Sequence, residues 1–155
     1  MDWKKFEKEL AQWMGEFSRR DLKFSAGYQS IPGYPSDGFR ADGALTNGRV
    51  LIALEVEVKQ AHPDTNVGKY WLLSEHHTYE KVILIHVYTP GYNSYGWRKS
   101  LGEFYATKMK ESLPFEYIQL DARKSTNYEE TLDQVKELLA GKIRAEFSKE
   151  LVNAA

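Results

Sequence analysis

Four ionisable residues carry the chemistry this chain can offer: Asp42, and the acids and amine of Glu55-Val56-Glu57-Val58-Lys59. Side chains alternate along an extended strand, so Glu55, Glu57 and Lys59 project from one face. Val50, Ile52, Leu54, Val56 and Val58 form an apolar row on the other. Carboxylate oxygens are the hard donors that magnesium takes, and two of them leave positions open for water and a phosphate oxygen. An ion held this way polarises phosphorus and makes bound water more acidic, while a neighbouring ammonium orients that water and stabilises growing charge. The alternative is a charged strand face turned to water, which alternation alone would produce. Against it, the same face begins with Leu51 and Ala53 before it turns ionic, as expected of a surface covered partway and then opening into a cleft.

The pairing of Asp42 with the later acids depends on a hairpin. Asn47-Gly48 is a short turn signal between a strand over 39–46 and the strand that carries the acids. With those two as the turn residues, Thr46 faces Arg49, Leu45 faces Val50 and Asp42 faces Ala53. Directly opposed residues share a face, so Asp42 joins Glu55, Glu57 and Lys59. Phe39, Ala41 and Leu45 then fall on the valine side. In this register Glu57 lies about 13 Å from Asp42 along an ideal ladder. A kink at Asp42-Gly43 is expected to close the gap, since glycine permits it, pairing Asp42 with Glu57 and Lys59 and leaving Glu55 as an auxiliary acid. Without the kink, Glu55 is the nearer partner and Glu57 takes the lysine's place.

An aspartate followed fifteen residues later by an acid-x-lysine triplet at the end of a hydrophobic strand resembles the PD-(D/E)XK nuclease superfamily. Asp42, Glu57 and Lys59 carry the resemblance, which covers about residues 22–87. Ala41 stands where the family often has proline. The resemblance implies a restriction endonuclease-like three-layer sandwich acting on DNA as a nuclease, with endonuclease action favoured. It implies Mg²⁺ as cofactor, with Mn²⁺ able to substitute. It also implies Asp42, Glu57 and the carbonyl of Val58 as metal ligands and Lys59 as the catalytic ammonium.

The elements that must position these residues read as αβββαβαβα, an α/β chain with a mixed sheet flanked by helices. Residues 1–20 form an amphipathic helix with Trp3, Phe6, Leu10, Trp13, Met14 and Phe17 on one stripe. A strand over 22–28 and a Pro/Gly loop over 29–38 precede the hairpin. A helix opens at Pro63-Asp64-Thr65 and runs to about His77, with Asp64 or Thr65 as its N-cap. The unbroken apolar run 82–88 is a central strand, parallel to the acidic one because only a crossover helix fits between them. Trp97, Leu101, Phe104, Tyr105, Lys108 and Ser112 mark a second crossover helix, apolar except at its far end. A strand over 115–120 follows, and Leu132, Val135, Leu138 and Leu139 mark a last helix. The domain is expected to span 1–141, with 142–155 as a tail or an extension of that helix.

At 155 residues with 42% apolar and 28% charged residues, one globular domain with a full core is expected. The net charge of −1 provides no global basic field for nucleic acid, so any groove must be local. The absence of cysteine excludes disulfides and thiolate-ligated zinc and suits a reducing cytosol. No apolar run is of membrane-spanning length, and residues 1–8 lack the order of a secretory leader, so a cytoplasmic protein is expected. A homodimer that cuts two strands is left open.

Secondary candidates surround the acids. Gln60 follows the lysine, and Glu7 flanks the stripe of the first helix, where an acid reaches the metal in some relatives, though most helix-surface glutamates are solvated. Lys69 stands near a helix N-terminus, where phosphate contact is favoured. Tyr92, Tyr95, Arg98 and Lys99 mix rings with cations, a composition that clasps nucleic acid or packs structurally. The histidines lack metal spacing, and His86, in a buried strand, reads as a satisfied core imidazole. Two further readings stand beside the nuclease: a non-catalytic scaffold binding nucleic acid or protein, and a metal-free enzyme whose carboxylates do acid–base work on a sugar.

Overall fold

The computed structural model describes residues 2–31, 39–59, 62–76, 79–90 and 96–152. The first helix, α1 (Trp3–Gly15), begins where the Asp2 carboxylate accepts the Lys4 and Lys5 amides at 3.0 and 3.2 Å. Its apolar spacing buries Trp3, Phe6, Leu10 and Met14. The chain continues through β1 (Lys23–Ser25), β2 (Gly43–Thr46), β3 (Val50–Glu57), α2 (Thr65–His76), β4 (Lys81–Tyr88), α3 (Gly96–Ser112), β5 (Phe115–Asp121) and α4 (Tyr128–Val152).

The strands form one sheet in the order β1-β2-β3-β4-β5. The first three pair antiparallel, and β3, β4 and β5 run parallel through the crossovers α2 and α3. Alternation decides what each face meets. Ile52, Leu54 and Val56 pack with Phe6, Leu10, Val135, Leu139, Ile143 and Phe147 of α1 and α4. Leu51, Ala53 and Leu84 pack with Val67, Tyr70, Leu73 and Met109 of α2 and α3. The result is the expected three-layer α/β sandwich with a mixed sheet. No helix among the described residues is long and apolar enough to cross a membrane.

Several bounds and faces differ from expectation: α1 ends at Gly15 and β2 begins only at Gly43. The strand expected over 22–28 shortens to Lys23–Ser25. The helix α3 turns its predicted apolar stripe outward: it buries Gly102, Ala106 and Met109, while Trp97 and Phe104 are 57% and 54% exposed. Its small residues allow close approach to α2, where a Cβ on Gly102 would already touch Val67 at 3.4 Å and the Asp64 backbone at 3.5 Å. Hydrophobic periodicity does not distinguish that close-packing face from an apolar outer one. The segment after Gly141 continues α4, with non-helical backbone at Phe147 (φ −118°, ψ 26°), and buries Ile143 and Phe147 completely.

The end of α4 is therefore part of the core. Phe147→Ala should cost ~3–5 kcal/mol in urea unfolding. Exposed Val152→Ala should change stability by less than ~0.5 kcal/mol. Equal small effects would place the C-terminal turn of α4 outside the core.

Candidate active site

The hairpin closes through four residues rather than two. Thr46 faces Leu51, Leu45 faces Ile52, Ala44 faces Ala53 and Gly43 faces Leu54. Side chains within the loop impose this spacing. The Asn47 amide oxygen accepts the Arg49 and Val50 N–H groups at 2.9 and 2.8 Å. Thr46 Oγ1 accepts the Gly48 N–H at 3.0 Å and donates to the Val50 carbonyl at 2.8 Å. Gly48 holds φ at +90°, which its missing Cβ permits. The register therefore shifts by two residues from the expected one. An even shift keeps Leu45 of β2 on its predicted side, whereas Phe39 and Ala41, before the strand begins, pack with Leu51 and Ala53 instead of with the valines; extending the ladder by one residue sets Asp42 opposite Glu55 rather than Ala53.

Asp42 lies where β2 parts from β3. Its own carboxylate accepts the Val56 N–H at 2.7 Å, in the place a backbone carbonyl of β2 would occupy. Burial, then the neighbouring Glu55 carboxylate and then Glu7 push its carboxyl up to about 9, against the lowering effect of the Val56 bond. A side-chain hydrogen bond with Glu7 also favours the protonated form. Glu7 on α1 is thus not a plain solvated glutamate: besides its ion pair with Lys4 at 3.2 Å, it meets Asp42.

The charged row of β3 is buried, with Glu55 3% and Glu57 0% exposed, so it is not a solvated strand face. Glu55 Oε2 accepts from Lys69 Nζ at 2.7 Å and from the Tyr70 hydroxyl at 2.6 Å. Burial raises the Glu55 carboxyl, and the Lys69 ammonium and these hydrogen bonds oppose it. Burial and the Glu55 charge hold the Tyr70 hydroxyl well above its ordinary pKa, so Tyr70 stays a donor. Lys69 Nζ also donates to the Arg40 carbonyl at 2.6 Å and to Asn66 Oδ1 at 3.3 Å.

Glu57 faces a different set of partners. Asn66 Nδ2 donates to both its oxygens at 2.9 Å, and His86 Nε2 lies 3.0 Å from Oε2. His86 Nδ1 meets the Tyr117 hydroxyl at 2.8 Å, so this buried imidazole is satisfied at both nitrogens, as a core histidine should be. The structure thus brings Asp42 to Glu55, with Glu57 one step further along the face. Lys59 does not join them. It is exposed beyond the end of β3 with φ +58°, so strand alternation no longer governs its direction. Val58 likewise follows the last residue of β3, about three residues or ~10 Å past Glu55.

Arg98 stacks on Trp97 at 4.0 Å and reaches Asp64 at 3.4 Å. Lys99 pairs with Glu103 at 2.6 Å. Gln60, Tyr92 and Tyr95 lie outside the described residues. The amine at the acids is Lys69, which sequence reasoning weighed only as a phosphate contact. Asn66, Lys69 and Tyr70 at i, i+3 and i+4 share one side of a helix, and that spacing was the available signal.

Asp42 and Glu55 are the carboxyls of the site that could hold a hard divalent ion. Asp42 and Glu55 place carboxyls together in a buried setting where their charges repel, and a cation could compensate them as a proton now does. Among the described residues no three His, Asp or Glu side chains form a closed metal cage. Two carboxylates completed by water and substrate oxygens are the arrangement magnesium uses. Comparison with family models, curated proteins and solved structures returns no match.

Asp42 makes stability depend on pH. Between the ordinary value of 3.8 and about 9 the unfolded chain releases this proton and the folded chain keeps it, so stability falls as pH rises through that window. Asp42→Asn cannot lose a proton and can keep the Val56 bond through its amide oxygen. In EDTA at pH 8 it should melt ~2–4 °C or more above the parent, with the gain vanishing near pH 4. A variant less stable at pH 8, or a gain independent of pH, would refute the buried neutral carboxyl.

Proposed function

We propose that this protein is a divalent metal-dependent DNA nuclease of the PD-(D/E)XK type, cutting as an endonuclease. The observation that carries the reading is the placement of Asp42 beside Glu55 at the parted ends of β2 and β3, with Lys69 Nζ 2.7 Å from Glu55. The acid opposite Asp42 is Glu55, two residues before the Glu57 of the sequence resemblance. In this reading Asp42 and Glu55 hold Mg²⁺, and Glu57 occupies the place of the motif lysine. The ion, when bound, supplies Lewis acidity toward a phosphate oxygen and acidifies its water.

The chain's own residues do the rest. Lys69 is a fixed ammonium in a site of low dielectric, suited to stabilising negative charge on a phosphodiester as it is attacked. Tyr70 and Asn66 set its surroundings: Tyr70 fixes the Glu55 carboxylate, and Asn66 joins Glu57 to Lys69. Buried hydrogen-bond partners leave these side chains few alternative rotamers, so the site is preorganised.

Mg²⁺ or Mn²⁺ should support nicking of supercoiled plasmid, and EDTA should abolish it. Asp42→Ala, Glu55→Gln and Lys69→Ala should each lower the rate by ~10²-fold or more, while Lys59→Ala should stay within a few-fold of the parent. Circular dichroism of each variant separates lost chemistry from lost fold. Nicking that survives Asp42→Ala or EDTA would refute the mechanism. Loss on Lys59→Ala with retention on Lys69→Ala would return the ammonium role to Lys59.

A further inference from the structure

The outward face of α3 is unused by the fold. Trp97, Leu101, Phe104 and Lys108 are spaced by four, three and four residues, which lines them along one side of the helix. Trp97 and Phe104 are more than half exposed, whereas the residues of α3 buried in the domain are Gly102, Ala106 and Met109, with Tyr105 partly buried beside them. A cation lies over each ring: Arg98 Cζ is 4.0 Å from the Trp97 ring centre, and Lys108 Nζ is 5.6 Å from that of Phe104. The helix carries Arg98, Lys99, Lys108 and Lys110 against Glu103 and Glu111, a positive excess that remains although Arg98 pairs with Asp64, Lys99 with Glu103 and Lys108 with Glu111. Exposed rings interleaved with cations suit a polyanion that presents flat apolar faces.

Charge argues against a second copy as the occupant. An isologous pairing of α3 with α3 would lay the same positive excess against itself. A duplex is also disfavoured, because its bases already stack on one another and present no free face.

α3 meets the segment that carries Lys69 at two places. Arg98 reaches Asp64, the residue before α2, at 3.4 Å. A cleft of about 580 Å³ lined by Asp64, Gly68, Lys69, Trp71, Leu72 and Tyr105 runs between the helices, and its Lys69 is the residue bound to Glu55. From these observations, and resting on the nuclease reading for the choice of polyanion, we infer that the outer face of α3 binds a single-stranded segment of the substrate, with bases stacked on Trp97 and Phe104. The two rings lie seven residues, ~10 Å, apart along the helix axis. The preferred substrate then has an unpaired stretch adjoining the scissile bond.

Binding of the full chain to a fluorescein-labelled 20-nucleotide oligo-dT and to a 20-base-pair duplex, in EDTA and at fixed salt, tests this without cleavage. The single strand should bind at least ~10-fold more tightly than the duplex. Trp97→Ala and Phe104→Ala should each weaken the single strand by ~10-fold, with duplex affinity unchanged, and Trp97→Phe should restore most of the loss. Both positions are exposed, so unchanged urea midpoints are expected to exclude a folding defect. Equal affinity for the two DNAs, or single-strand binding untouched by both alanine variants, would overturn the inference. So would sedimentation showing a parent dimer that Trp97→Ala makes monomeric, since a second copy would then cover this face. A chain that binds single strands through these rings but never nicks would sink the nuclease reading and leave the inference standing. A chain that nicks while both alanine variants bind oligo-dT like the parent would do the reverse.

Discussion

Two carboxyl groups, Glu55 buried and Asp42 half-buried, are held close together at one end of the sheet, and much of the surrounding structure compensates for that. Burial disfavours a charged carboxylate, and a neighbouring carboxylate disfavours it again. Each acid is stabilised in its own way. Asp42 receives the Val56 N–H and holds its proton against Glu7, while Glu55 receives the Lys69 ammonium and the Tyr70 hydroxyl. The compensation at Glu55 comes from α2, and Asp42 is met by α1 as well as β3, so the site exists only where two helices are docked on the sheet. Buried groups of this kind are costly to maintain and cluster at functional sites, which gives the arrangement weight beyond its motif.

The second acid of the row shows how the site is framed. Glu57 is fully buried, but its oxygens are taken by Asn66 of α2 and His86 of β4, and Tyr117 of β5 completes the imidazole's bonding. The Tyr117 hydroxyl is pushed up to about 12, with burial the largest cause, so it remains protonated and can donate. This chain of polar contacts crosses the parallel half of the sheet and ties the far strands to the acidic end. Asn66, with Glu57 on its amide nitrogen and Lys69 on its oxygen, is the hinge between that network and the amine beside Glu55.

The fold was largely legible because its signals are local and redundant. The continuous apolar run in β4 marked a strand covered on both faces, and the short spacings between β3, β4 and β5 left room only for crossover helices. Where periodicity was ambiguous it misled: Trp97, Leu101 and Phe104 resemble a buried stripe, yet Gly102 and Ala106 pack inward because small residues let α3 approach α2 closely. The short β1 was overextended for a similar reason, since apolar content alone does not reveal where ladder bonds end.

For the site, the sequence alone decided that Glu55 and Glu57 share one face of β3. Side-chain alternation has a period of two, and a register shift of two residues cannot change it. Which acids meet was decided by the Asn47 and Thr46 side chains, whose bonds to the loop backbone set the four-residue connection and brought Asp42 opposite Glu55. Which lysine stands beside them was decided by the docking of α2, a contact between residues fourteen apart in the chain, for which the spacing of Asn66, Lys69 and Tyr70 marks a helix side but not what it meets. Lys59, adjacent in sequence, was released once β3 ended at Glu57. Local chemistry thus determined the kind of group on each face, and long-range packing determined which of them come within bonding distance.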